Sequence, residues 1–395
     1  MFSRLFTISP QEVTFARRGF VPRRAEACRH LEEVGTAFVM GYNLAVTTPA
    51  LDDLIRRLNE VCAARVGFAF EGAAMGLGIL DALPFAHVNR WSRLLSAAPE
   101  HNYMLHVGLG WAWARIPWKR WRLSSQIERL DPLLCWLAID GLGFHDAFFS
   151  TRRVVTEHRL PRVAGYSRRA FDQGVGRALW FVCCADPQAV RETLVAFPAD
   201  RHQDLWAGVG LAMTYAGGVP VEDVASLVEF AGPHRADLAQ GAAFAAQARR
   251  RAGNPTEHAD SVCQWIWGRS ADATAQITDD ALVGLNKSEV TPPVDGQQVG
   301  DGVLGIRGAM DDGGSPVGGS ALAVDQRRLG GSLALPLSGI PDAHGSSLTQ
   351  HLPAYEIWRL RIQHMWSNSV GCDLNSAPTA SPLGATHVVS VAGPA

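Results

Sequence analysis

The sequence predicts an all-α protein of tandem helical hairpins, stacked as a superhelix or closed as an α/α toroid. Three observations carry this. A small-residue signature recurs as Glu71-Gly72-Ala73-Ala74, Val107-Gly108-Leu109-Gly110, Asp140-Gly141-Leu142-Gly143, Gln173-Gly174-Val175-Gly176, Ala207-Gly208-Val209-Gly210 and Gln240-Gly241-Ala242-Ala243, its leading glycines 36, 33, 33, 34 and 33 residues apart. Apolar residues keep the same register: Leu58, Leu94, Ile127, Leu160, Leu194 and Leu227 lie 14 before their glycine, and Ala69, Leu105, Ala138, Phe171, Leu205 and Leu238 lie three before it. Polar amphipathic segments alternate with segments rich in glycine and alanine. Repetition at about 33–34 residues marks stacked helical hairpins; none can bury its apolar face without a neighbour.

The elements follow in order. Residues 1–20 are a mixed lead-in. Ala25 to Ala45 has helical apolar spacing and contains a weaker copy of the signature at Gly41-Tyr42-Asn43-Leu44-Ala45. Thr48-Pro49-Ala50-Leu51-Asp52 reads as a helix start, with Thr48 capping and Pro49 at the first position. An amphipathic helix follows to Glu60, then the first small-residue helix from Gly67 to Leu83, and the alternation continues, with Pro187 and Pro220 opening later helices. Glycine inside a helix costs about 1 kcal/mol relative to alanine. Gly72, Gly76 and Gly78 are therefore expected where backbones nearly touch, or where a face lines a channel or pocket. The domain is read as 1–285. Residues 286–352, rich in Gly, Ser, Asp and Pro without a sustained period, read as a disordered insertion. A helix is expected over 353–367 and a disordered tail over 368–395.

Composition narrows the function classes. The net charge is −2, which gives no electrostatic reason for nucleic-acid or anionic-membrane binding; Arg249-Arg250-Arg251 reads as a solvated face. No stretch of about 20 apolar residues offers a membrane span. The opening Met1-Phe2-Ser3-Arg4-Leu5-Phe6 lacks a signal-peptide core. Seven cysteines without a C-x-x-C pair read as reduced, buried thiols. Together these predict a cytoplasmic protein. No cofactor motif is present: neither a P-loop nor a dinucleotide-binding glycine fingerprint nor a nucleophile elbow. Glu257-His258-Ala259-Asp260 matches no zinc spacing, so no metal is expected.

Chemistry is expected at the polar residues beside the repeated glycines, because equivalent positions of a repeat point the same way. Glu71, Asp140, His145 and Asp172 are the candidate catalytic groups, and His106, Gln173, Arg177 and Gln240 the candidate ligand-binding groups. His145 titrates near neutrality and suits acid–base work. It is not expected to pair with Asp146, since adjacent helical residues do not face each other. Arg177 is expected to pair with an acid on a neighbouring helix or to hold an anionic ligand group. The structural alternative for all of these is capping and inter-helix pairing. Trp111, Trp113, Trp118 and Trp121 suit either the core or a flat conjugated ligand.

Several of these segments resemble a bacterial family of unknown function found beside enediyne polyketide synthases. The likeness runs through Val13-Thr14-Phe15-Ala16-Arg17-Arg18-Gly19-Phe20, Phe70-Glu71-Gly72-Ala73-Ala74-Met75, Tyr103-Met104-Leu105-His106-Val107-Gly108 and Leu137-Ala138-Ile139-Asp140-Gly141-Leu142-Gly143-Phe144-His145. It continues in Arg169-Ala170-Phe171-Asp172-Gln173-Gly174-Val175-Gly176-Arg177 and resumes at Tyr355-Glu356-Ile357-Trp358-Arg359. The likeness covers roughly residues 8–285; the expected insertion over 286–352 departs from the pattern and marks a lineage-specific insertion or a disturbed reading frame. The resemblance implies an accessory role in enediyne assembly, binding an apolar polyene intermediate or the polyketide synthase. A cyclase or isomerase acting on that intermediate and a protein-binding scaffold are the other readings.

Overall fold

The computed structural model describes residues 6–84, 88–120, 122–161, 163, 165–285 and 352–370. Among the described residues every regular element is helical, and no strand occurs. They fall in one unit of the chain, which joins Met1–Pro292 to Leu352–Ala395. Of the insertion expected over 286–352, residues 286–351 lie outside the described residues, as do residues 371–395 of the tail expected over 368–395, together with Trp121 and Cys372.

Near the start of the described residues lie a 3-10 turn (Pro10–Val13) and α1 (Phe15–Arg18), capped by the Ser9 and Thr14 side chains. Then come α2 (Ala25–Thr47), α3 (Leu51–Asn59), α4 (Val66–Leu80), α5 (Arg90–Ala97), α6 (Asn102–Arg115), α7 (Pro117–Arg120), α8 (Leu123–Ile127) and α9 (Cys135–Phe149). They are followed by α10 (Tyr166–Val182), α11 (Pro187–Val195), α12 (His202–Ala216), α13 (Val221–Ala231), α14 (Arg235–Arg251), α15 (Glu257–Trp267), α16 (Ala271–Asp280) and α17 (Ala354–Val370). The long helices pack in chain order, α2 on α4, then α6, α9, α10, α12, α14 and α16, and α17 lies against α14, α15 and α16. The shorter helices alternate with them and bury the registered leucines: Leu58, Leu94, Leu194 and Leu227 are wholly buried.

The glycines explain the packing order. Successive residues of a helix turn by about 100°, so glycines two apart face opposite neighbours. The leading glycine meets the helix before it: a methyl added to Gly141 would sit 2.0 Å from the Val107 carbonyl oxygen, and one on Gly174 1.8 Å from that of Asp140. The trailing glycine meets the helix after it. Methyls on Gly110, Gly143, Gly176 and Gly210 would strike the carbonyl oxygens of Ala138, Phe171, Leu205 and Leu238, the residues three before the next leading glycine. Gly41, against the Ala69 carbonyl, plays the trailing role. The leading and trailing glycines thus serve backbone contact between helices.

Several local expectations are corrected. Thr48 caps nothing: α3 starts at Leu51 after Ala50, without a side-chain cap, and the Thr48 hydroxyl accepts from Arg57 Nη1 at 3.1 Å. The helix expected over Gly67–Leu83 spans Val66–Leu80. Among the described residues no short α-helix stands between α9 and α10: a π-helical turn, Arg152–Thr156, takes its place. The helix expected over 353–367 runs from Ala354 to Val370. Arg249 is buried: it donates to the Asn254 carbonyl at 3.0 Å and to that of Tyr215, and its guanidinium lies 4.3 Å from the Tyr215 ring centroid. All described cysteines are free; Cys62 is exposed and Cys28 partly so. Among the described residues no helix is long and apolar enough to cross a membrane.

Candidate functional site

The residue just before a leading glycine and the residue four positions later share a helix face. In α4, α6, α9 and α10 these pairs are Glu71 and Met75, Val107 and Trp111, Asp140 and Phe144, and Gln173 and Arg177. This stripe borders two apolar cavities, each about 40 Å³. Val107, Asp140, Arg177, Tyr215, Tyr355 and Trp358 line one. Phe38, Glu71, Trp111, Phe144, Arg177 and Phe181 line the other. Arg177 borders both. Wider clefts, about 390 Å³ beside Trp113 and Lys119 and about 400 Å³ beside Phe20 and Val155, contain none of the predicted site residues.

Arg177 organises the polar centre. Its Nη1 donates to Asp140 Oδ1, and its Nη2 lies 3.8 Å from Glu71 Oε1. Gln173 Nε2 donates to Asp140 Oδ2 at 2.9 Å and lies 3.0 Å from the Tyr355 hydroxyl. Burial disfavours a charge on Arg177, but Asp140 and Glu71 outweigh it and hold the guanidinium above its ordinary pKa. At Glu71 burial prevails. It pushes the carboxyl up to about 7, reinforced by Asp140 and opposed by Arg177 and by the Trp111 indole. The group therefore stands between its acid and base forms at neutral pH.

A stability prediction follows. The folded state holds the Glu71 proton more tightly than the unfolded chain, whose carboxyl titrates near 4.5. This group's contribution is therefore most favourable below pH 4.5 and is lost as pH rises to about 7. Glu71→Gln cannot ionise. Its stability relative to the parent protein is expected to rise by about 3 kcal/mol between pH 4.5 and pH 8, read from urea unfolding at a series of pH values. A difference independent of pH would refute it.

The other predicted residues divide by helix face. Asp172 and His106 lie one position earlier than the stripe, about 100° round their helices, and line neither cavity. Asp172 is clamped by Arg201, whose Nε donates at 2.9 Å and whose Nη1 donates to the His158 carbonyl at 3.0 Å. Burial pushes Asp172 up to about 6 against the pull of Arg201. His106 is buried against Trp91, its Nδ1 2.7 Å from the Asn102 carbonyl oxygen, and burial lowers its pKa. His145 also lines neither cavity; it sits edge-on to Trp111, ring centroids 5.6 Å apart. Contrary to expectation it does pair with Asp146, Nδ1 to Oδ1 at 3.2 Å. Arg120 of α7 makes this possible by grasping the Asp146 carboxylate at 3.0 and 2.6 Å and holding it beside the ring. Burial depresses the His145 pKa despite Asp146. Asp172, His106 and His145 thus stand apart from the Glu71–Arg177–Asp140 centre.

Gln240 belongs to a second buried network, which docks α17. Arg359 Nε donates to Gln240 Oε1 at 2.9 Å, and its Nη1 donates to Asp204 Oδ1 at 2.6 Å and to Glu356 Oε2 at 3.3 Å. Arg169 Nη1 donates to Glu356 Oε1 at 2.6 Å, and the Tyr166 hydroxyl to Glu356 Oε2 at 2.7 Å. Asp204, Glu356 and Arg359 are each at most 1% exposed. They were not singled out from the sequence, nor were Tyr215, Phe38, Phe144, Phe181 and Tyr355 on the cavity walls. Phe144 could have been found by stepping four residues from Asp140. Tyr355 comes from a remote segment that no local pattern ties to α9 and α10.

Among the described residues no group of three or more His, Cys, Asp or Glu side chains is placed to hold a metal ion. No curated protein and no solved structure matches the chain. The model of the family described as protein of unknown function DUF1702 matches residues 1–295, three-quarters of the sequence, and the chain belongs to that family.

Proposed function

We propose that the protein serves enediyne polyketide assembly by holding an apolar polyene intermediate beside Glu71 and Arg177. The observation that carries this is the meeting of two apolar cavities at one buried charged centre, with the rings of Phe38, Trp111, Phe144 and Phe181 on the Glu71 side and those of Tyr215, Tyr355 and Trp358 on the other. A conjugated chain is flat and apolar, and aromatic walls suit it. Each cavity has room for about three water molecules, a short stretch of such a chain. A longer polyene enters only if a covering segment shifts: α17, with Tyr355 and Trp358, or the lead-in, with Val13 and Phe15.

The test is twofold. cis-Parinaric acid, a conjugated tetraene, is expected to gain fluorescence on binding. Leu211→Trp, which fills the α17-side cavity, is expected to weaken that binding about tenfold, a loss of about 1.4 kcal/mol. Deletion of the gene in its host is expected to change the polyenes seen by mass analysis. No fluorescence gain, together with an unchanged polyene profile, would end this reading.

A further inference from the structure

Three buried polar atoms around the Glu71 centre have no hydrogen-bond partner: Trp111 Nε1, Arg177 Nε and the Tyr215 hydroxyl. Trp111 and Arg177 border the Glu71 cavity, and Tyr215 borders the other. The Trp111 indole N–H is directed at the Glu71 carboxylate and favours its charge, but the contact falls short of full hydrogen-bond geometry. A buried donor left unsatisfied is costly. Arg177 Nε, which is open, and Trp111 Nε1, engaged only weakly by Glu71, leave donor capacity for a ligand's acceptor oxygen at the wall that also carries the acid. Arg177 is held in place for this by Asp140, which is itself fixed by Gln173.

We propose that this site moves a proton along an unsaturated carbonyl ligand, with Glu71 as the catalytic base and acid and with Trp111 Nε1 and Arg177 Nε as donors to the carbonyl oxygen. The proposal rests on the polyene-holding reading and narrows the substrate class to a slender β,γ-unsaturated ketone or thioester. The Glu71 carboxylate takes a proton from the carbon between the carbonyl and the double bond. The C–H electron pair becomes the new carbon–carbon double bond of a dienolate, and its negative charge rests on the oxygen facing the two donors. The Glu71 carboxylic acid then returns the proton to the γ carbon. The carbonyl re-forms, the double bond ends in conjugation, and no electron or net proton is consumed. Aromatic walls exclude bulk water, which strengthens both donor contacts.

The experiment uses the full chain with hex-4-en-2-one, a short β,γ-unsaturated ketone, in deuterium oxide. Deuterium uptake and formation of hex-3-en-2-one are followed by mass spectrometry and ultraviolet absorbance. The parent protein is expected to exceed buffer at least about a hundredfold, Glu71→Gln to fall to the buffer rate, and Trp111→Phe, which keeps the ring and loses the donor, to lose at least about tenfold. Circular dichroism and cis-parinaric acid binding check that each variant stays folded and competent. Should Glu71→Gln fail to fold, Trp111→Phe carries the test. Binding of cis-parinaric acid with no isomerisation above buffer, or with equal rates in the parent and the folded variants, overturns the proton transfer and leaves the polyene-holding reading standing. Absence of both binding and isomerisation overturns the proton transfer and, with an unchanged polyene profile on gene deletion, the polyene-holding reading as well.

Discussion

Gly174→Ala is expected to destabilise the protein by about 2 kcal/mol or more, or to prevent folding. The added methyl would lie 1.8 Å from the Asp140 carbonyl oxygen, 2.7 Å from the Asp140 carbonyl carbon and 2.8 Å from the Phe144 amide nitrogen. These are backbone atoms of α9, so no side chain can rotate away; the two helices must separate, and the seam loses its packing. Alanine's better helix propensity returns only about 1 kcal/mol, whereas overpacking a tight core costs about 1–3 kcal/mol and occasionally more. The same shift would pull Arg177 from Asp140, since these residues face each other across this seam. Gly76→Ala is the control. Its methyl would meet Ala45 Cβ and the Tyr42 carbonyl oxygen at 3.1 Å, a gap that a shift of a few tenths of an ångström relieves, so a change within about 1 kcal/mol is expected. Chemical denaturation of both variants makes the comparison. Equal stability would show that α9 and α10 do not touch at Gly174.

Arg359→Met is expected to cost about 3–5 kcal/mol, the range for removing one partner of a buried ion pair. Methionine nearly fills the space of the arginine stem, so a cavity is not the main loss. The loss comes from Asp204, Glu356 and Gln240, which keep their buried oxygens while the donor between them goes. Arg169 remains, with Nε 3.0 Å from Asp204 Oδ2 and Nη1 2.6 Å from Glu356 Oε1, but one cation then faces two carboxylates. The effect is expected to appear first as release of α17, through faster proteolysis of residues 354–370 and increased accessibility of Tyr355 and Trp358, which wall the cavity beside Asp140. Thermal unfolding and timed digestion measure the two effects. A variant as stable and as protease-resistant as the parent would show that α17 is held by apolar packing alone.

The all-α class was legible because helical periodicity is a local property, and the close helix contacts were legible because glycine in a helix interior needs a compensating neighbour. The charged centre was partly legible. Glu71, Asp140, Gln173 and Arg177 share the stripe defined by the leading glycines, and the structure brings them together. Asp172 and His106 were read as equivalent to that stripe, yet a single residue's rotation turned them to Arg201 and to Trp91. Helix geometry alone does not make a dyad of the neighbours His145 and Asp146; Arg120, which belongs to another element, holds the carboxylate in place.

By itself, the sequence determined the helices, the interval between them and the glycines at their seams, since each depends on residues a few positions apart. Only the tertiary structure decided which acid is raised toward neutrality, which arginine satisfies which carboxylate, and that α17 closes the wall beside Asp140. Those outcomes depend on burial and on partners far apart in the chain, 187 residues at Arg169 and Glu356. Charge pairing in a protein interior is set by distance in space, and periodicity along the chain does not encode it.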